Sequence, residues 1–277
     1  MSIISITAGS YSNGRQIAKS VARRLEYEYV DIEIILPLVS SQFGVPESKL
    51  ARALKEIPSS VGMFSQAKQQ YMIYVDTVLS EYLLKNNIVY YGIAGFPVIR
   101  EISHALKVQI IADLVDRIND KAKQSDVSPQ KARKALARED GRQRKWAETF
   151  YNMNISDPSL YDLVINIGHI KNDDIENALE TIITAVNHTK FQPMTYSLRC
   201  ANNIAMSCRV RAMLASIDAK MKVKSDEGTV CIYTKAVKKK AEDKVLKIKQ
   251  KVMKIEGIKH VEVYVDYDLF SSVACGQ

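Results

Sequence analysis

A short segment bounded by glycines near the start of the chain has residues that could bind phosphate groups. Gly9-Ser-Tyr-Ser-Asn-Gly14-Arg15 follows an apolar run, Ile3–Thr7, and precedes Gln16–Leu25, whose apolar side chains repeat at helical spacing. Glycines let successive backbone amides turn toward one anion, and a following helix adds the positive end of its dipole. Arg15 would add a fixed positive charge. The spacing predicts a strand, a phosphate-binding loop and a helix.

The loop departs from the strict pattern for such sites at two positions. Arginine stands at position 15, where the pattern has lysine, and Gln16 stands where it has the hydroxyl that binds Mg²⁺. Considered alone, the segment is equally compatible with a plain turn between a strand and a helix.

The elements that follow predict a parallel sheet covered by helices on both faces. Residues 34–86 have a helical pattern, and further strands and helices alternate after them. The strands are expected at Tyr27–Asp31, Ile88–Tyr91, Val108–Ala112 and Leu163–Ile167, and the helices at Asp113–Lys123, Gln130–Ala137 and Asn172–Val186. Strands that are apolar throughout and alternate with helices are typical of three-layer α/β domains.

The C-terminal part differs from the rest in pattern and in charge. Residues 187–197 contain Pro193, show no clear period and are interpreted as a linker. Residues 190–277 hold 17 Lys+Arg and 9 Asp+Glu, whereas the other 189 residues hold 22 of each. The sequence therefore predicts an α/β domain at 1–189 and a small basic α+β domain at 198–270, with the order α-β-β-α-β.

Three segments of the first domain resemble the cytidylate-kinase-like family. They are ITAGSYSNGRQIAKSVARRLEYEYVDIEII, VQIIADLVDRI at 108–118, and DPSLYDLVIN at 157–166. The resemblance covers roughly residues 1–186. It implies a P-loop kinase fold and phosphoryl transfer from ATP to a nucleoside monophosphate, with Mg²⁺.

The resemblance also implies roles for individual residues. Nucleotide contacts are expected at Gly9, Ser12, Asn13, Gly14, Arg15 and Gln16. Catalytic roles are expected for Arg15, for Asp31 at the end of the second strand, and for Arg142 and Arg144 in a lid-like segment at 138–146 that also contains Arg138 and Asp140. Asp31 could instead cap a helix, and the lid-like segment could be a solvated charged helix. No cluster of metal ligands is expected.

Other residues near these positions are expected to be structural. Asp116 and Arg117 are expected to make local helix contacts. Trp146, Phe150 and Tyr151 fall on one helical face and are expected to pack in the core or the lid.

Several departures from the family pattern reduce the positive charge aimed at the phosphates. Ile32 and Ile93 stand where the family has arginine, and Gln143 stands where a lid arginine is expected. Tyr11 and Asn13 replace loop glycines, which disfavours a tight phosphate cradle. Because such charges stabilise the transition state, two functions stay open: an active nucleotide kinase, and a catalytically degenerate nucleotide sensor or interaction module. A scaffold that binds no nucleotide is a third alternative.

Residues 198–267 resemble a BON domain. The resemblance rests on Cys208–Leu214, on the hairpin at Lys222–Tyr233 and on the entry to the last strand at Ile255–Val261. It implies binding rather than catalysis. The lysines of the helix at 236–254 form either a solvated face or a contact surface for anionic lipid or another acidic partner. Sequence-specific nucleic-acid binding is not expected, because no aromatic residues interleave with these lysines.

The remaining features indicate a cytoplasmic protein. No apolar run approaches the roughly 20 residues of a membrane-spanning helix, and the N-terminus lacks the basic flank of a signal peptide. The four cysteines form no CxxC pair and are expected to be reduced thiols. The oligomeric state cannot be predicted from these patterns.

Overall fold

The chain folds into two compact units. The computed structural model describes residues 2–56, 66–167 and 172–267, without the side chains of Gln66, Asn172, Asp173, Lys239 and Tyr267. The first unit comprises Met1–Met63 and Lys85–Met194, and the second comprises Phe64–Leu84 and Thr195–Gln277. The second unit therefore contains one segment from the interior of the chain.

The described part of the chain forms both helices and strands. In chain order they are β1 (Ile3–Ala8), α1 (Gly14–Leu25), β2 (Glu28–Asp31), α2 (Ile32–Phe43), α3 (Glu47–Lys55), α4 (Gln66–Leu83), β3 (Ile88–Tyr91), α5 (Phe96–Glu101), β4 (Ala105–Ile111), α6 (Leu114–Ser125), α7 (Pro129–Tyr151), β5 (Leu163–Asn166), α8 (Asn172–Val186), α9 (Thr195–Leu214), β6 (Lys222–Asp226), β7 (Thr229–Ala236), α10 (Ala241–Val252) and β8 (His260–Tyr267).

The first unit is built on a five-stranded parallel sheet with the strand order β2-β3-β1-β4-β5. This arrangement confirms the predicted α/β fold class. Apolar side chains of α1 and α8, such as Ile17 and Ile182, pack with Ile4 and Val108 of the central strands. Because the strands are parallel and β1 is central, the loop after β1 opens at the carboxyl edge of the sheet, where ligands of open α/β sheets bind.

Helix α7 is longer than predicted. We predicted that it ends at Ala137, but it continues to Tyr151. It begins at Pro129, where the Ser128 hydroxyl accepts a hydrogen bond from the Lys131 amide at 3.4 Å. Gly141 does not end it, since one glycine costs a helix only about 1 kcal/mol, which tertiary packing can offset. The lid-like segment is therefore part of one continuous helix.

The second unit contains a three-stranded sheet with the order β6-β7-β8, in which β6 and β7 are antiparallel and β7 and β8 are parallel. Its core includes Val210 and Leu214 of α9, Ile232 of β7, and Ile248 and Val252 of α10. The order α9-β6-β7-α10-β8 confirms the predicted α-β-β-α-β order.

Helix α4 joins the second unit through contacts with α9. The Thr77 hydroxyl donates to the Cys208 carbonyl at 3.0 Å, and Arg209 Nε donates to Glu81 Oε1 at 2.8 Å. The predicted boundaries, 1–189 and 198–270, had assigned the whole region before the linker to one domain.

The segment predicted as a linker packs on the first unit. Residues Thr189–Phe191 form a short 3₁₀ turn, and Phe191 is buried. The Ser2 hydroxyl donates to the Phe191 carbonyl at 2.7 Å, and α9 already begins at Thr195. Among the described helices, none is long and apolar enough to cross a membrane.

Candidate functional site

The loop between β1 and α1 adopts the backbone conformation of a phosphate cradle without the usual glycines. Tyr11 and Asn13 have φ values of 60° and 53°, in the left-handed region. The Ser12 hydroxyl donates to the Gly9 carbonyl at 2.6 Å and closes the loop. Left-handed backbone is unfavourable for Tyr, whereas Asn tolerates it, so the conformation of Tyr11 indicates that the surroundings hold the loop in this shape.

Gly14 brings the start of α1 against the sheet. A Cβ atom at this position would lie 2.2 Å from Ala8 Cβ and 3.2 Å from Tyr91 Cε2. Only glycine allows this approach. The first helical amides, those of Gly14, Arg15 and Gln16, lie beyond the reach of intrahelical acceptors. They border a cavity of about 680 Å³ that is lined by every residue from Ala8 to Gln16.

The Tyr11 ring packs against Lys121 of α6. The ammonium of Lys121 lies 4.3 Å from the ring centroid and donates to the Tyr11 hydroxyl at 3.2 Å. The same ammonium donates to Glu139 of α7 at 3.0 Å. Burial alone would lower the pKa of Lys121, but these hydrogen bonds raise it above its usual value. The cation is therefore charged and already paired, and Tyr11 leaves the cavity open.

Arg117 of α6 contacts the loop directly. Its Nε donates to the Ser10 carbonyl at 2.7 Å, and its Nη2 donates to both carboxylate oxygens of Asp140 at 2.8 and 2.9 Å. The guanidinium carbon lies 3.5 Å from where a Cβ of Gly9 would be. Our prediction that Arg117 makes only local helix contacts is therefore wrong. A guanidinium at this position holds one wall of the loop in place.

Arg15 points toward carboxylates rather than standing free at the loop. Its guanidinium lies 3.4 Å from Asp31 Oδ2 and donates to Glu33 Oε1 at 3.1 Å. The hydrogen bond with Glu33 raises the pKa of Arg15 above its usual value. The guanidinium carbon also lies 5.8 Å from the Tyr91 ring centroid. Arg15 still borders the loop cavity.

Asp31 is buried and accepts hydrogen bonds from two groups, the Tyr29 hydroxyl and the Glu33 amide. It ends β2, and its Oδ1 accepts the Glu33 amide at 3.0 Å, which confirms the alternative that it caps a helix. Its Oδ2 accepts the Tyr29 hydroxyl at 2.8 Å. Burial, followed by this hydrogen bond, raises the pKa of Tyr29. Asp31 is thus held by Tyr29, by Arg15 and by the start of α2.

The predicted lid residues lie along α7 at the same edge of the sheet. Arg144 borders a cavity of about 240 Å³ together with Gly9 and Arg117. Arg142 borders another cavity of about 280 Å³ together with Ser10. Both side chains are exposed, and no carboxylate lies within ion-pair distance of either among the described residues. Arg138 is exposed and borders neither cavity.

Gln143 lies where the three cavities meet. It borders the loop cavity and the cavities beside Arg142 and Arg144. The family resemblance places an arginine here, so the most central position on α7 has no charge.

The cavity beside Arg142 is largely apolar. Its walls include Ile32, Leu54, Ile93 and Trp146, and Lys55 lies at its edge. Trp146 is 6% exposed, and its indole Nε1 is buried and finds no hydrogen-bond partner among the described residues. The ring lies 5.0 Å from Phe150 and 5.3 Å from Tyr151, measured between centroids. These contacts confirm that the three aromatic residues pack together.

The donor set of the loop does not fit a magnesium site held by the protein. The Ser12 hydroxyl is engaged with Gly9, and Gln16 offers only a neutral amide at the hydroxyl position. Asp31 and Asp140 each accept hydrogen bonds from other groups. The described residues contain no cluster of three or more His, Cys, Asp or Glu side chains suited to a metal ion.

The structure thus brings most predicted site residues to one edge of the sheet. The six loop residues border one cavity, Arg15 pairs with Asp31, and Arg142 and Arg144 border the adjacent cavities. Sequence patterns did not predict the roles of Arg117 and Lys121. They lie four residues apart on α6 and pair with Asp140 and Glu139 of α7, and no local pattern specifies these contacts between two helices.

A five-stranded parallel sheet with flanking helices and a phosphate-type loop after its central strand defines a kinase-like α/β protein. The chain belongs to the Cytidylate kinase-like family, whose sequence model matches residues 3–169.

Comparison with solved structures supports the fold. An uncharacterized protein from Eubacterium ventriosum is similar with a TM-score of 0.52 at 16% identity, over 67% of this chain and 97% of that chain. A shikimate kinase from Bacteroides thetaiotaomicron has a TM-score of 0.42 at 9% identity, over 68% of this chain and 99% of that chain. The first likeness shows the fold alone. The comparison with curated proteins found no match.

Proposed function

We propose that the first unit binds the phosphates of a nucleotide on the loop 9–14 and acts as a nucleotide sensor. One observation supports this proposal: the loop borders an open cavity, while the cations that surround the loop are already paired with carboxylates. The loop cavity of about 680 Å³ borders the first amides of α1, whereas Arg15, Arg117 and Lys121 are each paired with a carboxylate.

The open cradle supports anion binding. The amides at the start of α1 and the dipole of that helix attract negative charge. The left-handed residues Tyr11 and Asn13 give the loop the alternating backbone of an anion-binding nest. Family membership makes ATP the first ligand to test, with its phosphates on Gly9, Ser12, Asn13 and Gly14.

The paired cations argue against rapid phosphoryl transfer. Such transfer depends on positive charge that is free to stabilise the phosphates in the transition state. To stabilise a transferred phosphate, each cation that contacts the loop would first have to break its ion pair with a carboxylate. The loss of that ion pair opposes the stabilisation gained at the phosphate. The neutral Gln143 and the poor fit to Mg²⁺ act in the same direction.

Nucleotide kinase activity is the second candidate, and the exposed Arg142 and Arg144 favour it. Both guanidiniums border cavities that adjoin the loop. In this alternative the acceptor, a nucleoside monophosphate, would occupy the apolar cavity beside Trp146. Arg142 and Lys55 would then face its phosphate.

Ligand-induced stabilisation separates these functions. Melting of the full chain is followed with ATP, with and without Mg²⁺, and ADP formation is then measured with a panel of nucleoside monophosphates. A sensor should be stabilised without turnover, and a kinase should be stabilised with turnover. The absence of stabilisation at millimolar ATP would overturn both functions.

A matched pair of variants tests whether ATP binds the loop. Asn13 and Asn152 both have left-handed backbone, with φ values of 53° and 51°, but only Asn13 borders the loop cavity. Valine disfavours this conformation at either position. Asn13→Val should abolish stabilisation by ATP, and Asn152→Val should retain it. Equal loss or equal retention in the two variants would place ATP elsewhere.

We further propose that the second unit is a BON-like binding domain that transmits the nucleotide state. Its α-β-β-α-β order supports this identification. Cys200, Cys208 and Cys231 are free thiols, which supports the proposed cytoplasmic location.

A further inference from the structure

We propose that β8 pairs with β8 of a second copy of this chain. The two strands are antiparallel, and a two-fold axis passes between the two copies of Val263. Pairing in this way joins two three-stranded sheets into one continuous sheet of six strands. The proposal concerns the second unit and is independent of nucleotide binding.

β8 is a long edge strand with one open side. It has eight residues, and among the described strands it pairs only with β7. The opposite edge strand, β6, has five residues and carries Lys222 and Lys224, whereas β8 contains neither lysine nor proline. Short length, lysine and proline protect edge strands from pairing with other chains. β6 therefore has two of these protections, and β8 has none of them.

The backbone groups of three valines face the open side of β8. The His260 amide donates to the Gly228 carbonyl at 3.2 Å, on the side of β7. Amides and carbonyls alternate in direction along a strand, so the groups of His260 and every second residue after it face β7. The amides and carbonyls of Val261, Val263 and Val265 therefore face the opposite side, where no described strand pairs with them.

The order of side chains along β8 suits antiparallel pairing with itself in one register. With Val263 opposite Val263, the other cross-strand pairs are Val261 with Val265, Glu262 with Tyr264, and His260 with Asp266. Each exposed amide and carbonyl of the valines then finds a partner, and each carboxylate meets a side chain that can donate a hydrogen bond. A shift of two residues would place Glu262 opposite Glu262 or opposite Asp266, and like charges in these positions destabilise a sheet. β8 thus matches itself, which favours a second copy over an unrelated strand.

The polar side chains of this register are accessible to a second copy. The side chains of His260 and Asp266 are 62% and 76% exposed. Asp266 lies 3.8 Å from Lys235 of β7, and this long contact leaves its carboxylate able to accept a hydrogen bond from His260 of the second copy. The Tyr264 hydroxyl donates to Glu262 Oε2 of its own strand at 2.5 Å. Pairing therefore brings a further donor to each carboxylate without breaking a buried ion pair.

Sedimentation velocity of the full chain tests the proposal. At high concentration the chain should sediment with twice the 31.2 kDa mass of one copy, and it should dissociate on dilution. His260→Glu places a carboxylate opposite Asp266 at both ends of the interface, so it should raise the dimer dissociation constant about tenfold or more. Gln250→Glu is the matched control, since it adds the same charge at an exposed position of α10. This control should leave the dissociation constant unchanged.

A compensating substitution should restore the dimer. Asp266→Lys combined with His260→Glu places opposite charges in each end pair, so the dissociation constant should return to near its original value. The substituted positions are exposed, so the variants should keep their fold, which circular dichroism can check. A double variant that dimerises as weakly as His260→Glu would overturn the proposed pairing.

Hydrogen exchange locates the contact along β8. The amides of Val261, Val263 and Val265 should exchange slowly in the dimer and about tenfold or more faster after dilution to the monomer. Three results would each overturn the proposal: a chain that is monomeric at every concentration, a dimer that His260→Glu does not weaken, or a dimer whose valine amides exchange as fast as those of the monomer. Slow exchange of these amides in a monomer would assign the open side of β8 to another segment of the same chain instead.

Discussion

Gly14 allows the packing beneath the phosphate-binding loop to be tested with a single methyl group. In Gly14→Ala the new Cβ would lie 2.2 Å from Ala8 Cβ. Since carbon atoms in contact lie about 3.5–4.0 Å apart, α1 must move away from β1 by more than about 1 Å. Overpacking of this kind costs about 1–3 kcal/mol, and the better helix propensity of alanine returns less than about 1 kcal/mol at the first helical position. The free energy of unfolding should therefore fall by about 1–2 kcal/mol.

The fluorescence of Trp146 provides the assay. Trp146 is the only tryptophan in the chain and is buried in the first unit, so its emission during urea unfolding reports on that unit. Gly141→Ala is the matched control, because a Cβ there has nothing within 4 Å and alanine should stabilise α7 by up to about 1 kcal/mol.

Ala8→Gly should restore most of the stability lost in Gly14→Ala, because it removes the closest atom. Unfolding of Gly14→Ala at the same urea concentration as the original chain would show that no such clash exists. A double variant that is no more stable than Gly14→Ala would refute it equally.

Three further predictions concern pH and partly buried ion pairs. Burial lowers the pKa of His104, so the folded state favours its neutral form. The contribution of this group to the free energy of unfolding should be complete above about pH 6.5 and decline below it by at most about 1.4 kcal/mol per pH unit. His104→Gln should flatten this decline in urea midpoints, and an unchanged slope would contradict the assignment. Arg117→Met should cost about 1–3 kcal/mol, because it leaves Asp140 and the Ser10 carbonyl without their donor, and an unshifted urea midpoint would exclude this role. Burial alone would raise the pKa of Asp218, but hydrogen bonds, led by the one from Lys244, lower it. The ionised Asp218 should therefore stabilise the fold above about pH 4, and this stabilisation should be lost below that pH. Asp218→Asn should make hydrogen exchange of the β7 amides less sensitive to acid, and equal sensitivity would count against the pair.

Local patterns predicted the parts of the site that depend on neighbouring residues. The strand, loop and helix around Gly14 follow from glycine spacing and helical periodicity. Asp31 follows a strand and precedes a helix, so its capping role was one of the two predicted alternatives.

The remaining features depend on contacts between distant segments. Arg117 reaches Ser10 because β4 pairs directly with β1, which places α6 beside the loop. No periodicity within α6 specifies which strand lies next to β1. The unit to which α4 belongs could not be predicted for the same reason, because its sequence pattern is helical in either unit. The hydrogen bond from Thr77 to the Cys208 carbonyl shows that α4 packs in the second unit. Helix α7 exceeded its predicted length because tertiary packing overrides the small cost of Gly141.

Because α4 packs against α9, the second unit cannot complete its fold until α9 has been synthesised. Translation must proceed from Leu84 to Thr195 before α9 is available, which takes about 5–20 s at the usual elongation rates. During that interval Thr77, which is buried in the finished protein and donates to the Cys208 carbonyl of α9, lacks this partner. A stop codon just after Met194 would remove α9 altogether, so such a fragment should be retained by chaperones or degraded.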